Sequence, residues 1–369
     1  MTAWPVPHDF RGPGATVWTP ETVTADPYNA QTPSAALAEP VTPVGAFFVR
    51  DHFGVPRTAP GDWRLRIGGA AAAAPFAIGY EELLTMEHRE LDVVVECAGN
   101  GRGLMAPRPP GLPWSQQAVG CAHFAGVPFR ALAGRALIGP AAVEVVFTGA
   151  DSGPVRGRRT AFERSIPLAV ALHPDTLLVT RMNGEPLAPE HGAPVRLVVP
   201  GRYAVADVKW LVGARAVTRP FTGVFQTEQY SYVASRGTPD GPVAAVRVKS
   251  LITEPEPDTA VRRGHETLVR GRAWSGGGVP LLSVGVRAEC EEEDDSHHER
   301  GWHEAVLEPA PGPYGWSAWS YRWTPQRPGP YRLLSRATDA HGDVQPATAP
   351  WNAGGYGCNP VASVDVVVV

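Results

Sequence analysis

The chain has 369 residues, 43% of them hydrophobic and 19% charged, which favours two domains over one and supplies enough apolar material for two cores. Its 40 glycines and 39 prolines follow no Gly-X-Y period, so they signal many turns rather than a collagen-like rod. A formal charge of −4 argues against a nucleic-acid or anionic-membrane binder, and no apolar run is long enough to cross a bilayer.

Residues 1–45 are rich in Pro, Thr and Ala without clear periodicity and read as an irregular arm lying along a domain. They lack a basic stretch followed by an apolar one, so the expected location is cytoplasmic, or periplasmic if an export signal is missing from this chain. The cysteines at 97, 121, 290 and 358 form no C-x-x-C pair and are expected to be free thiols.

From 46 to 240 short strands mix with helical pieces. "YEELLTM" (80–86) and "VPFRALA" (127–133) read as helices, and "AVEVVFTG" (142–149), "TLLVTRM" (176–182) and "VRLVVPG" (195–201) as strands. "MNGEPL" (182–187) carries the Asn-Gly signature of a tight hairpin turn. "SRGTPDGP" (235–242) reads as a linker. From 241 to 369 the pattern becomes all-β: "LLSVGVRAEC" (281–290), "WSYRWTP" (319–325), "YRLLSRATD" (331–339) and "SVDVVVV" (363–369). Trp319, Tyr321 and Trp323 share one strand face, as do Val364, Val366 and Val368. The whole is an α+β chain ending in an immunoglobulin-like sandwich.

The stretch "DVVVECAGNGRGLM" (92–105) drives a β-branched strand into a cysteine, with Val93, Val95 and Cys97 on one face. Gly99, Gly101 and Gly103 follow, and Arg102 sits five residues beyond the thiol. Two readings stand: a buried structural cysteine at a strand end, or a thiolate metal ligand favoured by a nearby guanidinium and loop amides.

"ECAGNGR" resembles the C-A-G-N-x-R element of the sulfite oxidase family of molybdenum enzymes. Further pieces are similar to family motifs in the same order: "FFVRDHFGVP" (47–56), "LPW" (112–114), "HFAGVPFRALA" (123–133), "SIPL" (165–168), "MNGEPLAPEHGAPVRLVVPG" (182–201) and "VKWL" (208–211). "GRAWSGGG" (271–278), "RATDAHGDVQP" (336–346) and "WNAGGYGCN" (351–359) resemble the family's dimerisation domain.

The resemblance implies a molybdopterin-binding domain over 46–240, a dimerisation domain over 241–369, and no haem. It makes Cys97 the one protein ligand to molybdenum. The pterin would be held by Phe48, Val49, Arg50, Asp51 and His52, by Asp151, His191 and Arg196, and by Asp207, Val208 and Lys209. Arg196 suits a phosphate by its planar fork and Lys209 as a point charge. Arg50, Arg102 and Trp114 match the substrate pocket. The implied reaction is a two-electron oxygen-atom transfer, on sulfite or a related small oxyanion or S- or N-oxide. Electrons would leave to a separate acceptor such as a cytochrome, and the protein would be a homodimer.

Four positions depart from the family pattern. Thr180 stands where a pocket tyrosine is usual, and Val279 where an arginine follows "SGGG". Both weaken the case for a small dianion and predict weak sulfite turnover. Asp51 replaces an asparagine, and "YAVAD" (203–207) replaces a Gly-Ala-Arg. The acidic, His-containing "ECEEEDDSHHERGWH" (289–303) reads as a solvated hairpin loop, and "DSGPVRGRR" (151–159) as an exposed loop near the pocket. Two other functions remain open: a thiol enzyme with Cys97 as nucleophile and His52 or His191 as base, and a non-catalytic β-sandwich binding protein.

Overall fold

A computed structural model describes residues 18–233, 237, 239–290 and 301–369. The middle of the acidic stretch (291–300) lies outside the described residues.

The arm is more ordered than its composition implies. β1 (Glu21–Thr24), β2 (Asn29–Gln31) and β3 (Val49–Arg50) form an antiparallel three-stranded sheet. Strands of two to four residues are too short to show alternation, which is why the sequence hides them. Residues 44–46 make a short 3-10 turn that leads Phe47 and Phe48 into the interior.

The first domain continues with β4 (Arg64–Gly69), β5 (Phe76–Gly79), α1 (Tyr80–Leu84), β6 (Arg89–Glu96), β7 (Val119–Pro128), α2 (Phe129–Arg135), β8 (Glu144–Val155), β9 (Arg158–Pro167) and α3 (Leu168–Ala171). It closes with β10 (Leu177–Met182), β11 (Glu185–Pro186), β12 (Arg196–Val198), β13 (Leu211–Val217) and α4 (Val224–Thr227). One sheet runs β11-β10-β7-β6 with β12 on β10; the other runs β5-β4-β13-β8-β9, and only its β4–β13 pair is parallel. Trp63, Phe129, Phe147, Leu178 and Leu197 fill one core. A second core gathers Phe47, Val93, Val95, Trp114, Phe124 and Val179 around the end of β6. Burying each such side chain contributes roughly 1.5–3 kcal/mol, enough to fix the register that points Cys97 inward.

Two expected loops are strands. The 151–159 stretch forms the end of the β8–β9 hairpin, turned by Arg156 and Gly157 at positive φ. The register shifts between Thr148 and Ser152, and this bulge carries Asp151. The expected linker pairs in part, since β15 (Pro239–Pro242) is antiparallel to β14 (Ser231–Val233). The Asn183-Gly184 turn has both residues at positive φ, as a tight hairpin requires.

The second domain comprises β16 (Lys249–Glu254), β17 (Ala260–Val261), β18 (Thr267–Trp274), β19 (Leu281–Cys290), β20 (His303–Glu304), β21 (Val306–Leu307), β22 (Ser317–Trp323), β23 (Gly329–Asp339) and β24 (Ala362–Val368). Sheets β16-β18-β22-β21 and β17-β24-β23-β19-β20 enclose Trp319, Trp323, Val284, Leu333 and Val366. A side chain on Gly271 would strike the Trp319 ring at 2.3 Å, so glycine there admits the indole. This is the expected sandwich.

Candidate active site

Cys97 follows directly on β6. Its N–H donates to Ala118 O (2.9 Å) and its carbonyl accepts from Asn100 N–H (2.9 Å). Asn100 in turn accepts from Ala118 N–H (3.0 Å) and donates to Glu96 Oε1 (2.9 Å). Glu96, 2% exposed, also accepts from Lys249 Nζ and Trp274 Nε1, both at 2.9 Å. The second domain therefore reaches across to hold the residue before Cys97. Such a pair adds little net stability but is costly to break, because either partner alone is an uncompensated buried charge.

Cys97 opens on a cavity of about 70 Å³ that is continuous with solvent. Burial pushes its thiol pKa up, while Arg50, the Gly99 amide and Arg102 pull it down. Beside it, Arg50 donates to Asp51 O and to Asn29 Oδ1 (3.2 Å), and Asn29 also accepts from Asp51 N–H (2.9 Å). The arm thus fixes the Arg50-Asp51-His52 segment. Arg102 is buried, donating from Nε to Gly354 O (2.9 Å) and from Nη1 to Leu112 O (3.1 Å), with its guanidinium 5.3 Å from the Tyr356 ring centre. Gly355 packs against the arginine stem so closely that a Cβ would meet it at 2.7 Å. The 351–359 loop of the second domain therefore shapes the site.

The remaining wall mixes cations with carboxylates. Lys209 pairs with Asp51 Oδ1 and donates to Glu190 O (2.8 Å). Burial pushes the Asp51 carboxyl up and the Lys209 ammonium down, and their mutual attraction opposes both shifts. Arg196, 5% exposed, reaches only carbonyls: His191 O at 3.2 Å and Asp207 O at 3.4 Å. Burial raises Asp151 to about 6 and Asp207 to about 7, against the pull of Lys209 and Arg196 respectively. Burial likewise lowers His52 and His191 to about 3, so both imidazoles are neutral.

Buried polar atoms here lack partners. Among the described residues Asp51 Oδ2 and Arg196 Nε have no hydrogen bond, although each is shut away from water. An unsatisfied buried donor or acceptor costs about 1–3 kcal/mol, so these atoms call for a ligand. The set suits a group with an anionic tail, for Arg196 and Lys209, and ring N–H donors, for the aspartates. A molybdopterin phosphate and pterin meet that description, with Cys97 supplying a soft thiolate to the metal.

Of the residues singled out in sequence, Phe48, Arg50, His52, Cys97, Asp151, His191, Arg196, Asp207 and Lys209 line the cavity. Asp51 stands behind Lys209. Val49 and Val208 are buried and lie outside the lining. Arg102 and Trp114 also lie outside it; Trp114 is wholly enclosed in the core around β6. Tyr230, Glu190, Phe162 and Trp210 join the lining without having been anticipated, and Asn29 and Gln229 support its residues through hydrogen bonds to Asp51 and His52. Glu190 and Trp210 lie within the motif stretches 182–201 and 208–211, whereas Asn29, Phe162, Gln229 and Tyr230 lie outside every motif. Among the described residues neither His52 nor His191 bonds to Cys97. His52 meets Arg50, Gln229 and Tyr230, and His191 Nε2 meets Val44 O at 3.2 Å. The dyad a thiol enzyme needs is therefore not assembled.

Comparison with known proteins places this geometry. Residues 52–225 match the family described as "Oxidoreductase molybdopterin binding domain", and residues 242–368 match "Mo-co oxidoreductase dimerisation domain". Mitochondrial sulfite oxidase of Rattus norvegicus is 33% identical, over 93% of this chain and 64% of that protein. Sulfite oxidase of Gallus gallus is 32% identical, over 89% of this chain and 74% of that protein. The chain thus spans about 64% of the length of the rat relative. Among solved structures, the sulfane dehydrogenase SoxCD of Paracoccus pantotrophus superposes with a TM-score of 0.82 at 26% identity, covering 98% of this chain and 92% of that one. With these matches, and with a cysteine at the end of a buried strand beside the cavity, the chain belongs to the sulfite oxidase family of molybdopterin-dependent oxidoreductases.

Proposed function

We propose that this protein catalyses a molybdenum-dependent two-electron oxygen-atom transfer on a small sulfur oxyanion of the sulfite type. The observation that carries the reading is the arrangement of one cavity: the Cys97 thiol on its wall, and Arg196 and Lys209 gathered on the same cavity with an unpaired guanidinium N–H. Cys97 would hold the metal. Arg196 and Lys209 would take the phosphate tail. Asp51, His52, Asp151, His191 and Asp207 would meet the pterin, with the backbone of Phe48, Val49 and Val208 alongside. When bound, the cofactor supplies the redox chemistry and the transferable oxygen.

The chain's own residues orient the substrate and manage charge. Arg50 and Arg102 are the cations that act on Cys97, and they set the potential into which an anion enters. Arg102 lies outside the cavity lining and gives Nε and Nη1 to the Gly354 and Leu112 carbonyls, so it acts mainly as fixed charge. Trp114 backs the site from the core. Thr180 is buried with its hydroxyl unpaired, and Val279 lies outside the cavity lining; neither adds a charge or a donor to the cavity. An enzyme with two guanidiniums near its substrate holds a dianion less firmly than one with three, so sulfite turnover should be weak. Electrons leave to a separate redox protein such as a cytochrome, this reading assigns no haem to the two domains, and the sandwich domain pairs two chains.

The test is turnover of molybdenum-loaded protein on sulfite with ferricyanide as acceptor, alongside nitrate, sulfoxides and N-oxides. Sulfite oxidation that is slow but dependent on molybdenum supports the reading. Fully loaded protein that ignores sulfite and reduces one of the oxides would replace it with the reverse reaction class.

A further inference from the structure

We propose that Tyr230 is a substrate-positioning residue whose hydroxyl donates a hydrogen bond to the substrate oxyanion. The inference rests on the function proposed above and adds to it a specific residue. Tyr230 lies between α4 and β14 and lines the same cavity as Cys97 and Arg50.

Its backbone is built for that place. At φ 54° Tyr230 occupies the left-handed region, which costs a non-glycine residue roughly 1–2 kcal/mol. Two bonds hold it there: its N–H donates to Tyr356 Oη (3.2 Å) and its carbonyl accepts from Val243 N–H (2.8 Å). The two tyrosine rings stack, with centroids 5.2 Å apart and planes 24° from parallel. A ring that merely filled core volume would not require a strained backbone and a second tyrosine from another domain to clamp it.

The hydroxyl, by contrast, is loosely held. It contacts His52 Nδ1 at 3.4 Å, longer than a firm hydrogen bond. His52 Nε2 lies 3.1 Å from Gln229 Oε1 and 3.4 Å from the donor Arg50 Nη2; with its proton assigned toward the nearer Gln229, which gives up the Arg50 contact as a hydrogen bond, Nδ1 is left as an acceptor and the phenol as the donor. Such a contact is exchanged cheaply for a better acceptor. The charges on Arg50, Cys97 and Arg102 all act on the phenol, so it shares their surroundings. Burial pushes its pKa to about 12, which keeps it protonated, and therefore a donor, at any working pH.

The need for such a donor is evident from the rest of the wall. Arg102 stands outside the lining with Nε and Nη1 given to carbonyls, Thr180 is enclosed, and Val279 is apolar. A neutral donor in that position assists an anion without adding the charge that would retain the product.

Sulfate serves as an inert oxyanion probe. Its binding to molybdenum-loaded full-length protein is measured by calorimetry for wild type, Tyr230→Phe and Tyr356→Phe. Molybdenum content is read first in every sample. The expected result is unchanged molybdenum in both variants. Sulfate affinity should fall about tenfold in Tyr230→Phe, which keeps the ring and the stack, with a matching rise in the KM for sulfite. Tyr356→Phe removes only the clamp on the Tyr230 N–H and should show a smaller loss, about threefold. Unchanged sulfate affinity in molybdenum-replete Tyr230→Phe would reduce Tyr230 to a wall residue. If that variant does not fold, an unaltered affinity in Tyr356→Phe overturns the proposal by itself. A wild-type protein that never takes up molybdenum would overturn the function, and this inference with it, before sulfate is tested.

Discussion

Replacing Arg196 by methionine separates a ligand-holding arginine from a structural one. The protein itself uses the guanidinium poorly: its bonds to His191 O and Asp207 O are 3.2 and 3.4 Å long, and its Nε has no partner among the described residues. The unsatisfied donor alone costs about 1–3 kcal/mol, which offsets most of what the two long bonds return. Methionine keeps the apolar stem beside Phe124, over whose ring the guanidinium lies at 5.9 Å. The Asp207 carboxyl loses its cation, but it already titrates near 7 and can take up a proton. The stability of cofactor-free Arg196→Met should therefore lie within about 1 kcal/mol of wild type, a melting shift of roughly 2–4 °C. Cofactor retention should change far more. A charge-assisted hydrogen bond to a phosphate is worth about 1.5–3 kcal/mol, or roughly 10–150-fold in affinity. The assay compares melting of protein from a cofactor-deficient host with the molybdenum-to-protein ratio, after gel filtration, of protein from a competent one. A large loss of cofactor-free stability with full molybdenum retention would refute the reasoning, because it would make Arg196 a structural ion.

Lys249→Met should destabilise the protein by about 3–5 kcal/mol in chemical denaturation, since it strands Glu96 at 2% exposure. The double variant Glu96→Gln with Lys249→Met should recover much of that loss, and equal losses in both would show that the charge is not the cause. His52 and His191, held near 3 in the fold against an ordinary 6.5, contribute stability that is complete above 6.5 and lost as pH falls toward 3. His191→Gln should soften acid unfolding of the cofactor-free protein across that window, and an unchanged profile would contradict this. Asp151 works in the opposite sense. Raised from 3.8 to about 6, it favours the fold below 3.8, and that contribution is lost as pH rises through 6. Asp151→Asn should then gain up to about 3 kcal/mol over wild type at pH 7.5 and little at pH 3.5. A gain that does not vary with pH would exclude titration as its source.

Much of this was legible in the sequence, for identifiable reasons. The strand into Cys97, the Asn-Gly hairpin and the aromatic stripe of β22 each follow from a strict local period or a turn that needs positive φ. The cavity wall was legible only through the family motifs, because Arg50, Asp151, Arg196 and Lys209 come from segments far apart in the chain and meet only in the fold. What escaped notice has no local signature. Asn29 lies on a three-residue strand and acts on Arg50 and Asp51 across 21 and 22 residues. Lys249 reaches Glu96 across 153. Tyr230 sits in a kink between two short elements, where neither helical nor strand alternation can place its ring. The 151–159 segment reads as a loop in sequence because its glycines and arginines mask the strand pairing that a two-residue turn permits.

The most direct test of the central claim is the molybdenum content of purified protein from a host that makes the cofactor, compared between wild type and Cys97→Ser. The account predicts about one molybdenum per chain in wild type, with turnover abolished in the folded serine variant. A wild-type preparation free of molybdenum yet fully active, or a serine variant that turns over normally, would contradict it.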